Sequence, residues 1–236
     1  MNFIIDFFIV LNKESLNFFL KQIRVSSTKI KIISNALNEK FMKKSNFKNS
    51  TKKLKKFGMA SRINILKRHD LIIDAFQSKL LKEEKIKCYF AGSGENIIPL
   101  KKMIKNKKMF KFCGALNSNE LKKWYDSLDF YIQATTGEGH STSMLQAMGM
   151  NLPVLGSNVS GVKNFLHPKK NIGLVFDNRQ TSLSIKIKSI LKMSNYKKKN
   201  IVASQKKYLL NNFTEQKFLE NYKIVIKKLV FDKNPT

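Results

Sequence analysis

Acidic residues are scarce in this chain. Its 236 residues carry 16 Asp plus Glu against 45 Lys plus Arg, a formal net charge of +29. An acid standing in a loop is therefore a candidate for a dedicated role. Arginine is scarcer still, with only Arg24, Arg62, Arg68 and Arg179. Base and phosphate recognition favours the arginine fork, so a basic surface made almost wholly of lysine argues against a nucleic-acid partner. The lysine excess, alongside abundant Asn, Ile and Phe, reads as coding bias. There are only two cysteines, Cys88 and Cys113, in separate apolar runs. They lack metal-ligand spacing and fit a reducing compartment. The three histidines, His69, His140 and His167, are scattered, which argues against a His-Asp-Ser triad or a metal set. Long apolar runs are missing too. Met1 to Leu11 is interrupted by Asp6, is too short to span a bilayer, and lacks a basic n-region and a small-residue cleavage site. The expectation is a cytoplasmic protein without a transmembrane segment, touching the inner membrane face only through lysine clusters. No internal repeat is visible.

What is present is a core and a rhythm. Hydrophobic residues make up 42% of the chain, enough for one large domain and too many for global disorder. Phe3 to Val10 reads as a buried strand, Lys13 to Gln22 as a short helix and Lys29 to Ser34 as a strand. Lys40 to Lys56 holds eight lysines in 17 residues with almost no core pattern. It reads as a loop and as the domain boundary. A strict alternation follows. Strands are expected over 57–61, 87–91, 109–113, 130–133, 153–156 and 173–176. Helices are expected over 70–80, 97–104, 119–127 and 141–150, the third opened by an Asn117-Ser118 cap signal. Three lysine-rich helices, around 182–193, 196–211 and 214–230, close the chain. Short apolar strands alternating with amphipathic helices predict an α/β fold: a Rossmann-like parallel sheet with helices on both faces.

In such a sheet ligands gather at the carboxyl ends of the strands. Arg62 and Lys67 follow the first strand of the alternating unit, five residues apart, and two cations there suit a diphosphate. Gly92-Ser93-Gly94 follows the second strand; it suits a phosphate cradle, but a strand-to-helix turn often needs glycine, and the turn reading is favoured. Gly114 follows the third. After the fourth comes Thr135 to Gly161, a polar loop running into a helix start near Ser141 and then a buried strand. A helix start with free N–H groups favours an anion. Glu138 stands between glycines just outside it and suits sugar hydroxyls. Gln146 lies about 7 Å along the helix from Ser141. Its side chain leans toward the amino end and can reach a ribose there.

Four segments, in order, resemble the carboxyl-terminal half of the GT-B glycosyltransferases, specifically the retaining family 4 type. They are F-G-M-A-S-R-I-N-I-L-K, Y-F-A-G-S-G-E, F-C-G-A-L-N-S-N-E-L and E-G-H-S-T-S-M-L-Q-A-M-G-M-N-L-P-V. The resemblance covers roughly Ile33 to Val230. It implies glycosyl transfer from a nucleotide-diphosphate sugar without an obligatory metal or cofactor. It implies that Arg62 and Lys67 hold the donor diphosphate and that the backbone around Gly114 to Leu116 packs the base. It implies that Glu138 meets the donor sugar, that the amides from His140 through Ser141, Thr142 and Ser143 meet the phosphates, and that Gly139 is among the donor-binding residues. Gln146 stands where the family's second glutamate binds ribose hydroxyls. An amide has one acceptor oxygen there instead of two.

Length is the other departure. A complete GT-B enzyme has two Rossmann-like domains around its active site. Residues 1–45 resemble the end of the first and the crossing into the second, and 46–236 the nucleotide-sugar-binding domain with its terminal helices. The chain is expected to be either a truncated or split gene product or one subunit of a pair. The expected partners are a nucleotide sugar, a glycan or lipid-linked acceptor and, in the second case, a separate chain carrying the amino-terminal domain. Two other functions compete. A nucleotide-sugar epimerase of the same architecture would need an acid–base set that is not found. A basic binding protein for nucleic acid or an anionic membrane predicts steeply salt-dependent binding and no role for Glu138.

Overall fold

A computed structural model of the chain describes residues 7–44, 47, 53–166 and 172–231. His167 and the first residues of the expected opening strand, 3–6, lie outside them. The chain opens with β1 (Phe8–Val10), α1 (Lys13–Lys21) and β2 (Ile30–Ile32), and the two strands pair in parallel. Then come β3 (Lys55–Ala60), α2 (His69–Phe76), β4 (Ile86–Ala91), α3 (Ile97–Met103), β5 (Phe110–Phe112), α4 (Ser118–Asp126) and β6 (Phe130–Gln133). They are followed by α5 (Thr142–Gly149), β7 (Val154–Ser157), α6 (Ser160–Leu166) and β8 (Leu174–Phe176). The closing helices are α7 (Gln180–Lys192), α8 (Asn195–Asn212) and α9 (Glu215–Phe231).

Six strands form one parallel sheet in the order β5-β4-β3-β6-β7-β8. Successive side chains on a strand point to opposite faces, so the sheet feeds two cores. Phe57, Met59, Cys88, Phe90, Phe130 and Ile132 point to the face covered by α2, α3 and α7. Ala60, Ala91 and Tyr131 point to the face covered by α4, α5 and α6, with Leu209 of α8 and Phe213. Both faces are dry, which is why the strands lack a polar alternation. The fold is the expected Rossmann-like one.

Local signals account for most helix starts. Asn117 caps α4 in a reciprocal capping box with Glu120, worth about 1 kcal/mol for the cap alone. Helix α2 stops at Phe76, and a separate 3-10 turn covers Lys79–Leu81 where one continuous helix is expected. Helix α6 has no sequence signal. It is short, and Gly161 interrupts its pattern. The stretch 40–56, expected as a loop, is ordered at both ends: Phe41 closes a 3-10 turn, is buried and stands edge-on to Tyr125, and Lys55 and Lys56 open β3.

Chain order reverses between β3 and β6. From β3 the sheet grows through β4 to β5 in one direction, and from β6 through β7 to β8 in the other. The loops leaving the carboxyl ends of β3 and β6 must therefore diverge. The crevice they leave is the customary ligand position of an open parallel sheet.

Candidate active site

A cleft of about 560 Å³ opens at this reversal. Its walls bring together residues far apart in sequence: Arg62 and Lys67 beyond β3, Glu138 beyond β6, and Ser141, Thr142, Ser143 and Gln146 at the start of α5. His140 and Leu116 also line it. Gly114 and Gly139 stand just off the walls. The Gly114 carbonyl accepts the Gly92 N–H at 2.7 Å. The Gly139 carbonyl accepts the Asn12 side-chain amide at 2.6 Å, which ties the start of α1 to the loop bearing Glu138.

The two cations differ. Arg62 is exposed and has no ion-pair partner among the described residues. Lys67 closes a 3-10 turn capped by Asn64, and its ammonium lies 2.5 Å from Glu138 Oε2. The side chains of that pair are 21% and 14% exposed. Glu138 is the one acid among the lining residues, so both signs of charge meet at this contact. Glu138 Oε1 accepts no hydrogen bond from a described residue.

Helix α5 presents its amino end to the cleft. Ser141 caps it, its Oγ accepting from the Met144 N–H at 3.2 Å, and the first turn contains no acid. The N–H groups of Thr142 and Ser143 precede the first intrahelical hydrogen bond and so remain available to an anion. Farther along, Gln146 Oε1 accepts a hydrogen bond from the Tyr125 hydroxyl at 3.2 Å.

His140 lines the cleft, but its ring turns into an aromatic group. The ring centroid lies 5.4 Å from that of Phe165 and 5.2 Å from that of Phe213. Burial lowers its pKa to about 4. His69, packed edge-on to Phe90, is likewise held down to about 4 by burial, opposed by Asp70 and assisted by Lys67. Both rings are neutral near pH 7, so neither is a cationic phosphate ligand.

These shifts carry a prediction. Between pH 6.5 and 4 the unfolded chain binds more protons at these two histidines than the folded chain. Their contribution to stability is therefore complete above about pH 6.5 and falls as pH drops toward 4. Each histidine has a limiting slope of about 1.4 kcal/mol per pH unit. Urea denaturation of the wild type and of His140→Phe should show a shallower acid-side loss in the variant. An unchanged slope would contradict the assignment.

Sequence reasoning missed Ser61, which lines the cleft from the turn after β3; Ser93 and Ala115, inside segments that the sequence marks, line it from the turns after β4 and β5. Gly92 takes φ +131°, and a Cβ there would stand 2.0 Å from the Ser61 carbonyl oxygen. The turn expected of Gly92-Ser93-Gly94 is therefore also part of the wall. Gln133 was missed as well. It is a lone amide ending a strand whose four residues are all buried, and a polar residue at the carboxyl end of such a strand is the available signal.

The model of the glycosyl transferases group 1 matches residues 40–207, more than half of the chain. The chain belongs to the group 1 glycosyl transferases. It is 27% identical over 177 residues to protein CapJ of Staphylococcus aureus, covering 68% of this chain and 42% of CapJ. It is 28% identical over 112 residues to the alpha-monoglucosyldiacylglycerol synthase of Streptococcus pneumoniae, covering 46% of this chain and 25% of that protein. This group 1 chain thus spans less than half the length of these curated relatives. Among solved structures, a glycosyltransferase from Rickettsia africae superposes with TM-score 0.79 at 20% identity, over 96% of this chain and 64% of that one. Anabaena HepE, in complex with UDP and glucose, superposes with TM-score 0.81 at 15% identity, over 94% of this chain and 63% of HepE. These two likenesses concern the fold.

Proposed function

We propose that the cleft binds a nucleotide-diphosphate sugar and that the chain is the donor-binding half of a retaining, family 4 type glycosyltransferase. The observation that carries this reading is the convergence of Arg62, Lys67, Glu138 and the amino end of α5 on one crevice at the sheet reversal. The diphosphate lies between the two cations and the first amides of α5. The base lies against Ala115 and Leu116, the ribose reaches Gln146, and the hexose meets Glu138. As the glycosidic bond breaks, negative charge grows on the departing diphosphate, and Arg62, Lys67 and the α5 dipole stabilise it in place. When the donor binds, before that bond breaks, Lys67 exchanges its Glu138 partner for phosphate oxygens and leaves the carboxylate to the sugar hydroxyls.

The acceptor is a glycan or a lipid-linked glycan, and the groups that hold it belong to an amino-terminal domain. The curated relatives, of which this chain covers 42% and 25%, are long enough to hold such a domain. Among the described residues no helix is long and apolar enough to cross a membrane. Contact with an anionic surface would then be peripheral. The competing basic binding protein leaves the pairing of Glu138 with Lys67 inside a cleft without a purpose.

Calorimetry of the purified chain with UDP-, GDP- and ADP-hexoses tests the reading. Saturable binding of one of them is expected, with little transfer to an acceptor by the chain alone. Binding of none would overturn the donor site, and robust transfer by the isolated chain would overturn the half-enzyme assignment. Gln146→Glu is expected to tighten binding of that nucleotide sugar about fivefold, because a carboxylate accepts from both ribose hydroxyls. The Tyr125 hydroxyl can donate to either side chain, so the substitution keeps its packing. Unchanged or weaker binding would sink the ribose role.

A further inference from the structure

Gln133 is 1% exposed, at the carboxyl end of β6, and its amide faces two ways. Its Oε1 lies within hydrogen-bond reach of the Tyr131 hydroxyl at 3.0 Å and the Ser143 hydroxyl at 3.4 Å. Its Nε2 donates to Glu138 Oε2 at 3.2 Å. Tyr131 in turn accepts from the Ala60 N–H at 3.3 Å, and its oxygen stands 2.9 Å from Ser143 Oγ. The end of β3, the first turn of α5 and Glu138 are therefore joined through one buried amide. An amide is the side chain that can accept on one side of this junction and donate on the other.

Glu138 Oε2 has two donors, Lys67 and Gln133. Lys67 ends a flexible four-carbon stem and is drawn to phosphate. Gln133 is fixed by burial and by its hydroxyl partners. When Lys67 turns to a diphosphate, Gln133 remains as the donor that keeps Oε2 in place and directs Oε1 into the cleft. We propose that Gln133 is a positioning residue that holds Glu138 for the donor sugar, so that the chain distinguishes a nucleotide sugar from the bare nucleoside diphosphate. This inference rests on the donor-site reading above.

A double-mutant cycle tests it. Gln133→Met keeps the side-chain length, and Gln133→Leu is an alternative of similar volume. Each is combined with Glu138→Gln. Calorimetry then measures two ligands: the hexose conjugate that the wild type binds tightest among UDP-, GDP- and ADP-hexoses, and the matching nucleoside diphosphate. In the Gln133 variants the diphosphate affinity should stay within about threefold, which also reports a folded cleft. The hexose conjugate should weaken about tenfold, the scale of one hydrogen bond to a charged group. In the Glu138→Gln background the Gln133 substitution should add nothing, since both act through one contact.

Additive losses in the cycle, or equal losses for the two ligands, would overturn the role of Gln133 and leave the donor site standing. Failure of both Gln133 variants to fold would assign the residue to the core and overturn the proposal as well. A wild-type chain that binds neither ligand would overturn the donor-site reading and this inference together.

Discussion

Replacing both Arg62 and Lys67 by alanine is expected to weaken binding of the nucleotide-diphosphate sugar by about two to four orders of magnitude. Charge-assisted hydrogen bonds to phosphate are worth about 1.5–3 kcal/mol each, and about 1.4 kcal/mol is tenfold in affinity. The two single variants should differ. Arg62 is exposed and unpaired among the described residues, so Arg62→Ala removes an attraction and little else, costing about tenfold to a hundredfold in affinity. Lys67 also neutralises Glu138 at 2.5 Å. Its loss leaves a carboxylate facing the incoming diphosphate, so Lys67→Ala should exceed Arg62→Ala. Glu138→Gln in the Lys67→Ala background should recover part of the diphosphate affinity while losing the sugar contribution. Calorimetry at two salt concentrations reads all of this. A double variant that binds the nucleoside diphosphate within threefold of wild type would contradict the placement of the phosphates.

The second large effect is on the scaffold. Gly92→Ala is expected to lower stability by about 2–4 kcal/mol, or roughly 5–15 °C in thermal midpoint for a chain of this size. At φ +131° an alanine is strained, and its Cβ would lie 2.0 Å from the Ser61 carbonyl oxygen. Backbone is on both sides of this contact, since Ser61 N–H donates to Ala91 and Gly92 N–H to Gly114. No side chain can swing away to make room. Relief requires the turn after β3 to move, and that turn carries Arg62, so donor binding should fall with stability. Gly114→Ala is the control. Gly114 also has positive φ, +73°, but nothing stands within 4 Å of an added Cβ. It should lose only about 1 kcal/mol from backbone conformation. Equal thermal midpoints for the two variants would contradict the account.

Much of the site was legible because its residues sit where sequence punctuation is strong. Arg62 stands out in a chain nearly free of arginine, and Glu138 stands out between glycines in a chain poor in acids. Ser141 marks a helix start by its cap chemistry. His140 shows the limit of such reading. Its position beside Glu138 left open whether its ring or only its backbone N–H serves the cleft, and Phe165 and Phe213, distant in sequence, draw the ring into an aromatic group. Gln133 shows the opposite failure. Its role depends on Tyr131, Ser143 and Glu138 meeting at one point, and no local pattern announces that.

The sequence by itself determined the parallel sheet, the order of most strands and helices, and the membership of Arg62, Lys67, Glu138 and the α5 start in strand-end loops. Those follow from local chemistry: apolar periodicity, caps, turn glycines and the rarity of certain charges. Only the tertiary structure decided that the loops after β3 and β6 share one crevice, because strand order in a sheet is set by long-range packing and not by neighbouring residues. It also decided that Lys67 already holds Glu138, that Gly92 must remain glycine because the Ser61 backbone passes against it, and that a buried amide ends the chain of hydrogen bonds reaching the carboxylate. Each is a contact between groups far apart in sequence, formed only when the two faces of the sheet close.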